Sequence, residues 1–309
     1  MSYTIDLEQN FFPEVHKVVD SQTQKALNSL HTLNEEEAIH DVRKRCKKIR
    51  AAWRLIRDSL GESQYKRRNR YYRDIARLIS DLRDATTVIE ALDLLENKFG
   101  DTVYKSTFSE MRSALQERRD DAYAHQEDKL PTLEKVEKRL QKGLKQVNPL
   151  SLSFKEWKPV IKSLTRTYGR GYDLCKKMQK QPSSEGIHQW RKRSKYIRYE
   201  LRLLKKVWPE MINPWRNNLN ELSDWQGDHH DMLELKKVMA RQKDVAPLTR
   251  STLDALATQY QEYCYVQSRH LGKRLFAEKP KHFAKRMHKY LKEWEPEPQR
   301  PVSIEVAFE

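Results

Sequence analysis

Two stretches of the sequence carry cationic side chains at regular spacing. HDVRKRCKKIRAAWRL spans residues 40–55 and HQWRKRSKYIRYELRL spans residues 188–203; they align without a gap and agree at nine of sixteen positions. Arginine binds phosphate oxygens through a planar fork of N–H donors, and lysine binds them as a point charge. These residue types at this spacing indicate a binding site for a phosphate-rich anion.

A helical projection sorts each stretch into two faces. At about 100° per residue, a cationic stripe in the first stretch lies opposite an apolar face that contains Val42, Ile49 and Trp53. The second stretch repeats this arrangement. A solvated helix surface is the alternative interpretation, but two copies in register favour an anion site. The candidate ligands read from the stripes are His40, Arg43, Lys44, Lys47 and Arg54, and His188, Arg191, Lys192, Lys195 and Arg202.

The histidine that opens each stripe, His40 or His188, has two interpretations. A histidine at the start of a helix often packs or caps, yet beside Arg and Lys it can donate a hydrogen bond to a phosphate oxygen. We favour the ligand contact, and we expect the surrounding cations to keep the imidazole neutral.

Two further basic segments supply weaker candidates. KRRNRYYR contains Lys66, Arg70 and Arg73, and TRTYGRGY contains Arg166 and Arg170. Tyrosines beside these arginines could stack on bases, which keeps nucleic acid open as a ligand. They could equally pack against the arginine stems.

Each stripe is followed by an aspartate pair at helical spacing, Asp81/Asp84 and Asp228/Asp231, and two histidines lie inside the second pair. Such pairs could hold a divalent metal and support phosphate hydrolysis. Because no further ligand follows at a suitable spacing, we favour aspartates that cap helices or pair with arginine. The sequence predicts no catalytic residue, no cofactor and no metal site.

The composition limits the class of protein. The 309 residues include 60 Lys and Arg against 44 Asp and Glu, which gives a formal net charge of +16. Such an excess repels itself unless an anion is bound, so nucleic acid, an acidic membrane face and inorganic polyanions are candidate partners. The widely spaced Cys46, Cys175 and Cys264 fit idle thiols in a reducing compartment. With no signal peptide and no long apolar run, we expect a soluble, cytoplasmic protein.

Helical patterns cover almost the whole chain. Only 8 glycines and 12 prolines occur, and apolar residues recur with the helical period without a convincing strand. The predicted fold class is therefore all-α. The predicted helices span roughly residues 10–30, 35–60, 63–98, 104–146, 153–180, 184–207, 214–243, 247–277 and 279–293.

The two basic stretches belong to a longer internal repeat. LISDLRD at residues 78–84 corresponds to WQGDHHD at residues 225–231 at almost the same offset. We therefore expect two helical bundles related by a pseudo-two-fold axis. Residues 1–150 would form the first half, residues 151–293 the second half, and residues 294–309 an extended C-terminal tail.

The pattern HxxRKRxKxIR in two copies, each followed by D-x-x-D, resembles the CHAD domain, the conserved histidine α-helical domain, over roughly residues 11–290. The resemblance implies basic helices around a central positive groove or pore that binds inorganic polyphosphate, and a location at polyphosphate granules. It adds Arg50 and Arg198 to the candidate ligands. The first copy has Ala51 where the second has Tyr199, so the two grooves need not be equivalent.

These observations lead to three functional hypotheses. The first is a non-enzymatic protein that binds long-chain inorganic polyphosphate and does not associate with membranes. The second is a nucleic-acid-binding protein that uses the same stripes, and the third is a metal-dependent phosphohydrolase. No ExExK stretch typical of the CYTH triphosphatase domain occurs in the sequence.

Overall fold

The computed structural model describes residues 3–124, 129–145 and 157–296, without the side chains of 81–85, 121–124 and 129–131. Within these ranges every regular element is a helix and no strand occurs, so the predicted all-α class is confirmed. One short 3-10 helix, Lys205–Val207, accompanies the α-helices. The α-helices are α1 (Phe11–Thr32), α2 (Glu35–Leu55), α3 (Arg57–Leu60), α4 (Glu62–Leu78), α5 (Asp81–Phe99), α6 (Lys105–Ala124), α7 (Lys129–Lys145), α8 (Trp157–Lys180), α9 (Ser184–Leu203), α10 (Pro209–Met239), α11 (Pro247–Leu275) and α12 (Pro280–Lys292).

Helices α2 and α9 carry the two basic stretches, and each begins at a capping side chain. Asn34 Oδ1 accepts a hydrogen bond from the backbone N–H of Glu37 at 3.0 Å, and Ser183 Oγ accepts one from Gly186 at 3.2 Å. These bonds satisfy backbone donors that the first helical turn leaves unpaired. The caps therefore fix where each cationic stripe begins.

Two of the predicted helices are interrupted within the described residues. The segment 35–60 divides at Ile56, and the segment 63–98 divides at Ile79 and Ser80. Within the segment 104–146 the structure describes α6 and α7. At the second break, Ser80 Oγ donates to the Arg77 carbonyl at 2.7 Å, and a guanidinium nitrogen from α2 donates to the Ile79 carbonyl. These bonds satisfy one carbonyl near the end of α4 and one just beyond it without another helical turn.

The start of α10 also differs from the prediction. The helix begins at Pro209, not near residue 214 as the periodicity indicated. Proline suits this position because the first N–H groups of a helix have no partner within the helix, and the ring already holds a helical φ.

Two clusters of buried side chains form the core. The larger cluster gathers α1, α2, α4, α7, α8, α9 and α12 with the first half of α10, and the smaller gathers α5, α6 and α11 with the remainder of α10. Trp53 of α2 and Trp190 of α9 are both almost fully buried in the larger cluster. Burial of one large aromatic side chain removes about 150–250 Å² from water. The apolar faces of the two basic helices are thus held in a common core.

The order of packing is similar on either side of residues 146–156. Helix α2 packs on α1 and α4, and α9 packs on α8 and α10; α7 packs on α1, and α12 packs on α8. Helices α2 and α9 also contact each other directly. This contact brings the two cationic stripes together.

The cysteines are buried and free, as expected for idle thiols. Burial raises the pKa of the Cys46 thiol to about 12, so this sulfur is an unreactive part of the core. Among the helices of the described ranges, none has the length and apolar character needed to cross a membrane.

Candidate anion-binding site

The cationic faces of α2 and α9 meet at Lys47 and Lys195. Loss of hydration and the charges of Arg191, Lys47 and Arg198 lower the pKa of Lys195 to about 7. Burial, Arg43 and Arg191 lower the pKa of Lys47 to about 8. The Lys47 side chain is exposed to solvent, so an external ligand can reach it. A bound anion would relieve the repulsion among these charges.

A cleft of about 350 Å³ extends along the same two helices and is closed on one side by α10. Its volume falls within the range of small-molecule sites, about 300–1,000 Å³. Three helices contribute five cations, two amides and a tyrosine to its lining. The lining residues are Lys44, Lys48, Arg198, Tyr199, Arg202, Arg216, Asn217 and Asn220.

None of the five cations of this cleft forms an ion pair with an aspartate or glutamate of the described chain. On another face of α2, by contrast, Arg45 Nε is 2.9 Å from Asp41 Oδ2. Asp41 and Asp224 act on Lys44 and Arg198 only at longer range, and crowded positive charge that lacks ion pairs is unfavourable in a partly buried position. The cleft therefore has the electrostatic character of an anion site, whereas Arg45 is neutralised within the protein.

Two of the cleft cations are held in unfavourable surroundings. Lys48 is only 6% exposed, and burial followed by the charges of Arg45 and Arg202 lowers its pKa to about 8. Burial, with Arg202 and Arg198, also lowers the pKa of Arg216. An anion in the cleft would stabilise the charged form of both side chains.

Basic residues on the side facing α4 are covered by an aromatic ring. Arg54 Cζ lies 3.6 Å from the centroid of the Tyr196 ring, and Arg54 is only 8% exposed. Arg50 Nε donates to Asn69 Oδ1 at 3.0 Å. Burial raises the pKa of Tyr196, but the charges of Arg54, Arg50, Arg193 and Lys192 outweigh it and lower that pKa. The structure therefore places Arg54 in a buried stack and not on an open groove.

Arg43 and Arg191 occupy equivalent positions in the repeated stretch, and both reach the backbone of the following long helix. Arg43 Nη1 lies 3.4 Å from the Ala76 carbonyl oxygen and 3.3 Å from that of Ile79. Arg191 Nε donates to the Ser223 carbonyl at 3.2 Å. Each arginine thus fixes its basic helix against a neighbour in addition to bringing positive charge to the groove.

Arg191 lies against α10 because Gly227 has no side chain. A Cβ at Gly227 would stand 2.5 Å from Nη2 of Arg191. Burial raises the pKa of Asp228 and of Asp231, and the charge of Arg191 opposes both shifts. These aspartates therefore act on Arg191 electrostatically, in the sense expected for residues that orient the cationic stripe.

The two candidate histidines have different surroundings. His40 is exposed in the second turn of α2. His188 is half-buried, and its ring centroid lies 4.3 Å from that of His230. Burial, His230 and Lys192 lower the pKa of His188 to about 4, so this imidazole is neutral at neutral pH, as expected.

Three of the five weaker candidates form ion pairs. The other two, Arg70 and Arg170, are exposed. A paired cation keeps less of its charge for an external ligand. The ion pairs are Arg166 with Asp58 at 2.9 Å, Arg73 with Asp74 at 2.7 Å and Lys66 with Glu62 at 3.4 Å.

The aspartate pairs are only partly described. The side chains of Asp81 and Asp84 lie outside the described residues. The Tyr260 hydroxyl lies 3.1 Å from Asp228 Oδ2. Among the described side chains, no group of three or more His, Cys, Asp and Glu residues is placed to hold a metal ion.

Several lining residues of the cleft were not predicted from the sequence, among them Lys48, Arg216 and Asn217. Lys48 was not predicted because it lies between the cationic stripe and the apolar face of the helical projection. Arg216 and Asn217 were not predicted because α10 contains no conspicuous basic run. One signal was present: Arg216-Asn217 follows the second basic stretch at the same distance at which Arg68-Asn69 follows the first. A longer alignment of the two halves would have found it.

Comparison with known proteins supports the resemblance. No curated protein matches the chain. A family model described as the CHAD domain matches residues 19–240, which include both basic helices and all lining residues of the cleft. This match covers well over half of the 309 residues. The chain belongs to the CHAD domain family.

Proposed function

We propose that this protein binds inorganic polyphosphate, without chemical turnover, through the surface formed by α2, α9 and α10. The observation that supports this function is the set of five cations that line one cleft without carboxylate partners. Polyphosphate is also the ligand associated with the CHAD family. On this proposal the protein acts in the cytoplasm, at polyphosphate granules.

The chemistry of polyphosphate suits this surface. Each phosphate unit within the chain carries a negative charge and exposes oxygen acceptors, and the chain has no bases to be read. Arginine forks, lysine ammonium groups and the amides of Asn217 and Asn220 supply only donors or flexible polar groups to such a ligand. Dense, adaptable donors are therefore sufficient for binding.

The aromatic residues favour polyphosphate over nucleic acid. Proteins that bind single-stranded nucleic acid stack bases on exposed aromatic faces. Tyr199 is 7% exposed and packs edge-on against Tyr3, and the ring of Tyr196 is covered by Arg54. Tyr72 and Tyr168, from the two weaker basic segments, are buried as well. Nucleic acid stays the second hypothesis, because its backbone would meet the same cations.

The helix packing supports the proposed internal symmetry. Helix α2 packs on α1 and α4 as α9 packs on α8 and α10, and α7 packs on α1 as α12 packs on α8. We assign these two sets to halves 1–150 and 151–293 of one repeat. A pseudo-two-fold axis near Lys47 and Lys195 would place both basic helices on one groove.

A competition titration tests the function. Labelled long-chain polyphosphate is bound at near-physiological salt and displaced with unlabelled polyphosphate, single-stranded DNA, duplex DNA or RNA at matched charge concentration. We expect only polyphosphate to compete well, with its chain length unchanged after incubation with Mg²⁺. Equal competition by nucleic acids would identify a general polyanion surface, and shortened chains would identify a phosphohydrolase.

Two variants that each lose two positive charges distinguish binding at the cleft from attraction by the positive charge of the whole protein. Arg198→Ala/Arg202→Ala removes two cations of the cleft. Arg241→Ala/Lys243→Ala removes two exposed cations just beyond α10, roughly 35 Å along the helix from Asn217 at about 1.5 Å per residue. We expect the first variant to lose about tenfold or more in affinity and to show a shallower salt dependence. Equal losses in both variants would contradict the proposed site.

A further inference from the structure

The two halves of the chain contain two copies of most of the cleft. Five of its eight lining residues have a counterpart of the same type at the spacing that separates His40 from His188. The matched residues come from α2, α4, α9 and α10. The pairs are Lys44/Lys192, Arg198/Arg50, Arg202/Arg54, Arg216/Arg68 and Asn217/Asn69.

Three positions differ between the two copies, and one of them is Lys48. Its counterpart is Tyr196, and the Tyr196 ring lies directly under the guanidinium of Arg54. Arg202, the counterpart of Arg54, is exposed and lines the open cleft. One substitution in the repeat therefore accompanies an open arginine in one copy and a buried arginine in the other.

We call the counterpart residues Lys192, Arg50, Arg54, Arg68 and Asn69 the α4 copy, and the cleft itself the α10 copy. Other side chains of the α4 copy also form contacts within the protein. Arg50 Nε donates to Asn69 Oδ1 at 3.0 Å, and the guanidinium of Arg68 lies 4.5 Å from the centroid of a Trp53 ring. In the α10 copy, Asn217 is exposed at the cleft. Asn69 is thus bonded to Arg50 within the protein, whereas its counterpart Asn217 is exposed at the cleft.

We infer that this chain binds phosphate on one side only: the cleft at α10 holds a compact run of condensed phosphates, and Tyr196 closes the equivalent cleft at α4. The inference deepens the proposed function and rests on it. It assigns Lys48, Arg216 and Asn217 as ligand contacts in addition to Lys44, Arg198 and Arg202 of the basic stripes. Long polyphosphate would then be anchored in this cleft and extend from it across the surface of the protein.

Calorimetric titration with tripolyphosphate tests the inference, because this ligand is short enough to occupy one cleft. We expect one site per chain. Arg216→Ala should weaken binding about tenfold, since it removes a charged donor from the cleft. Arg68→Ala replaces the same residue type at the equivalent position of the other half, and we expect it to change the affinity less than twofold.

A third variant opens the closed copy. Tyr196→Ser removes the ring that covers Arg54 and should raise the stoichiometry from one tripolyphosphate per chain to two. Circular dichroism establishes that each variant keeps its helices, and Tyr196→Phe serves as a second variant that preserves the ring and should stay at one site.

The possible results separate the inference from the proposed function. Two sites in the unaltered protein, equal losses in Arg216→Ala and Arg68→Ala, or one site in folded Tyr196→Ser would overturn the one-sided cleft while long-chain polyphosphate still binds. Loss of all binding of long-chain polyphosphate in the unaltered protein would overturn the proposed function itself.

Discussion

The charge state of Lys195 should respond to a bound anion near neutral pH. Burial and the charges of Arg191, Lys47 and Arg198 lower its pKa to about 7. A bound anion would raise this pKa. At a pH between the pKa of the free protein and that of the complex, Lys195 therefore takes up a proton when the anion binds. We expect the affinity for long-chain polyphosphate to fall as the pH rises from about 6.5 to about 9, roughly tenfold per unit of pKa increase on binding. Titrations at constant ionic strength measure this slope.

Lys195→Arg is the control for the pH dependence. Guanidinium stays protonated throughout this range, so the variant keeps its charge where lysine loses it. We expect a flatter dependence of affinity on pH in Lys195→Arg than in the unaltered protein. Identical slopes would assign the titration to another group, such as Lys48 or Lys47.

Single residues also show where sequence patterns stop being informative. The helical projection placed Arg54 and Arg202 at equivalent positions of two stripes, and both lie on the expected helices. The exposure of Arg54 and Arg202 differs because the Arg54 guanidinium stacks on the ring of Tyr196, whereas the charge of Lys48 repels Arg202. Periodicity identifies the face of a helix but not the side chain that packs against it from another helix. The sequence therefore predicted the cations but not which of them line a cleft.

Helix α10 positions Arg191, and a substitution of Gly227 in this helix tests the contact. We expect Gly227→Ala to keep the fold, because alanine is favoured over glycine by about 1 kcal/mol inside a helix. The new Cβ would occupy the place of the Arg191 guanidinium, which stands 2.5 Å away. Displacing one charged donor should reduce polyphosphate affinity about three- to tenfold. Titration and circular dichroism measure binding and fold separately.

Gly169→Ala is the matched control for this substitution. Gly169 also lies inside a helix, α8, and a Cβ there would meet only Pro280 at 3.6 Å, an ordinary contact. The control should bind polyphosphate like the unaltered protein. If Gly227→Ala binds as well as Gly169→Ala does, the position of Arg191 is unimportant for the ligand.

The elements themselves were largely predictable, but their interruptions were not. Residues 78–84 and 225–231 correspond in sequence, yet the first segment contains a helix break and the second lies inside α10. At the break, Arg43 donates to the Ala76 and Ile79 carbonyls, and Ser80 donates to the Arg77 carbonyl. In α10 the equivalent Arg191 bonds to one carbonyl within a continuous helix. Such differences depend on contacts between helices, which local periodicity does not contain.

The whole molecule carries a formal charge of +16, and part of this charge is concentrated at the cleft. Repulsion among these cations destabilises the free protein, and a bound polyanion removes it. Added salt should stabilise the free protein and weaken its binding of polyanions. It screens the repulsion in the free protein, since the Debye length falls from about 10 Å at 0.1 M to about 3 Å at 1 M, and it weakens polyanion binding through counterion release.

We therefore expect added NaCl to raise the Tm of the free protein and to shrink the further increase that polyphosphate produces. At low salt and a ligand concentration about 100 times Kd, binding adds about 2.7 kcal/mol of stability, which corresponds to a shift of about 5 °C for a chain of this size. Thermal unfolding followed by circular dichroism measures both effects.

Arg198→Ala/Arg202→Ala completes the whole-molecule test. If these cations are held in the cleft for a ligand, the double variant should unfold at a higher temperature than the unaltered protein at low salt and should gain less from polyphosphate. If it unfolds at a lower temperature, then the contacts of these arginines with Tyr199 and Tyr3 stabilise the fold more than their repulsion destabilises it. The arginines of the cleft would then stabilise the free protein through their ring contacts, and only the smaller gain from polyphosphate would report on the ligand site.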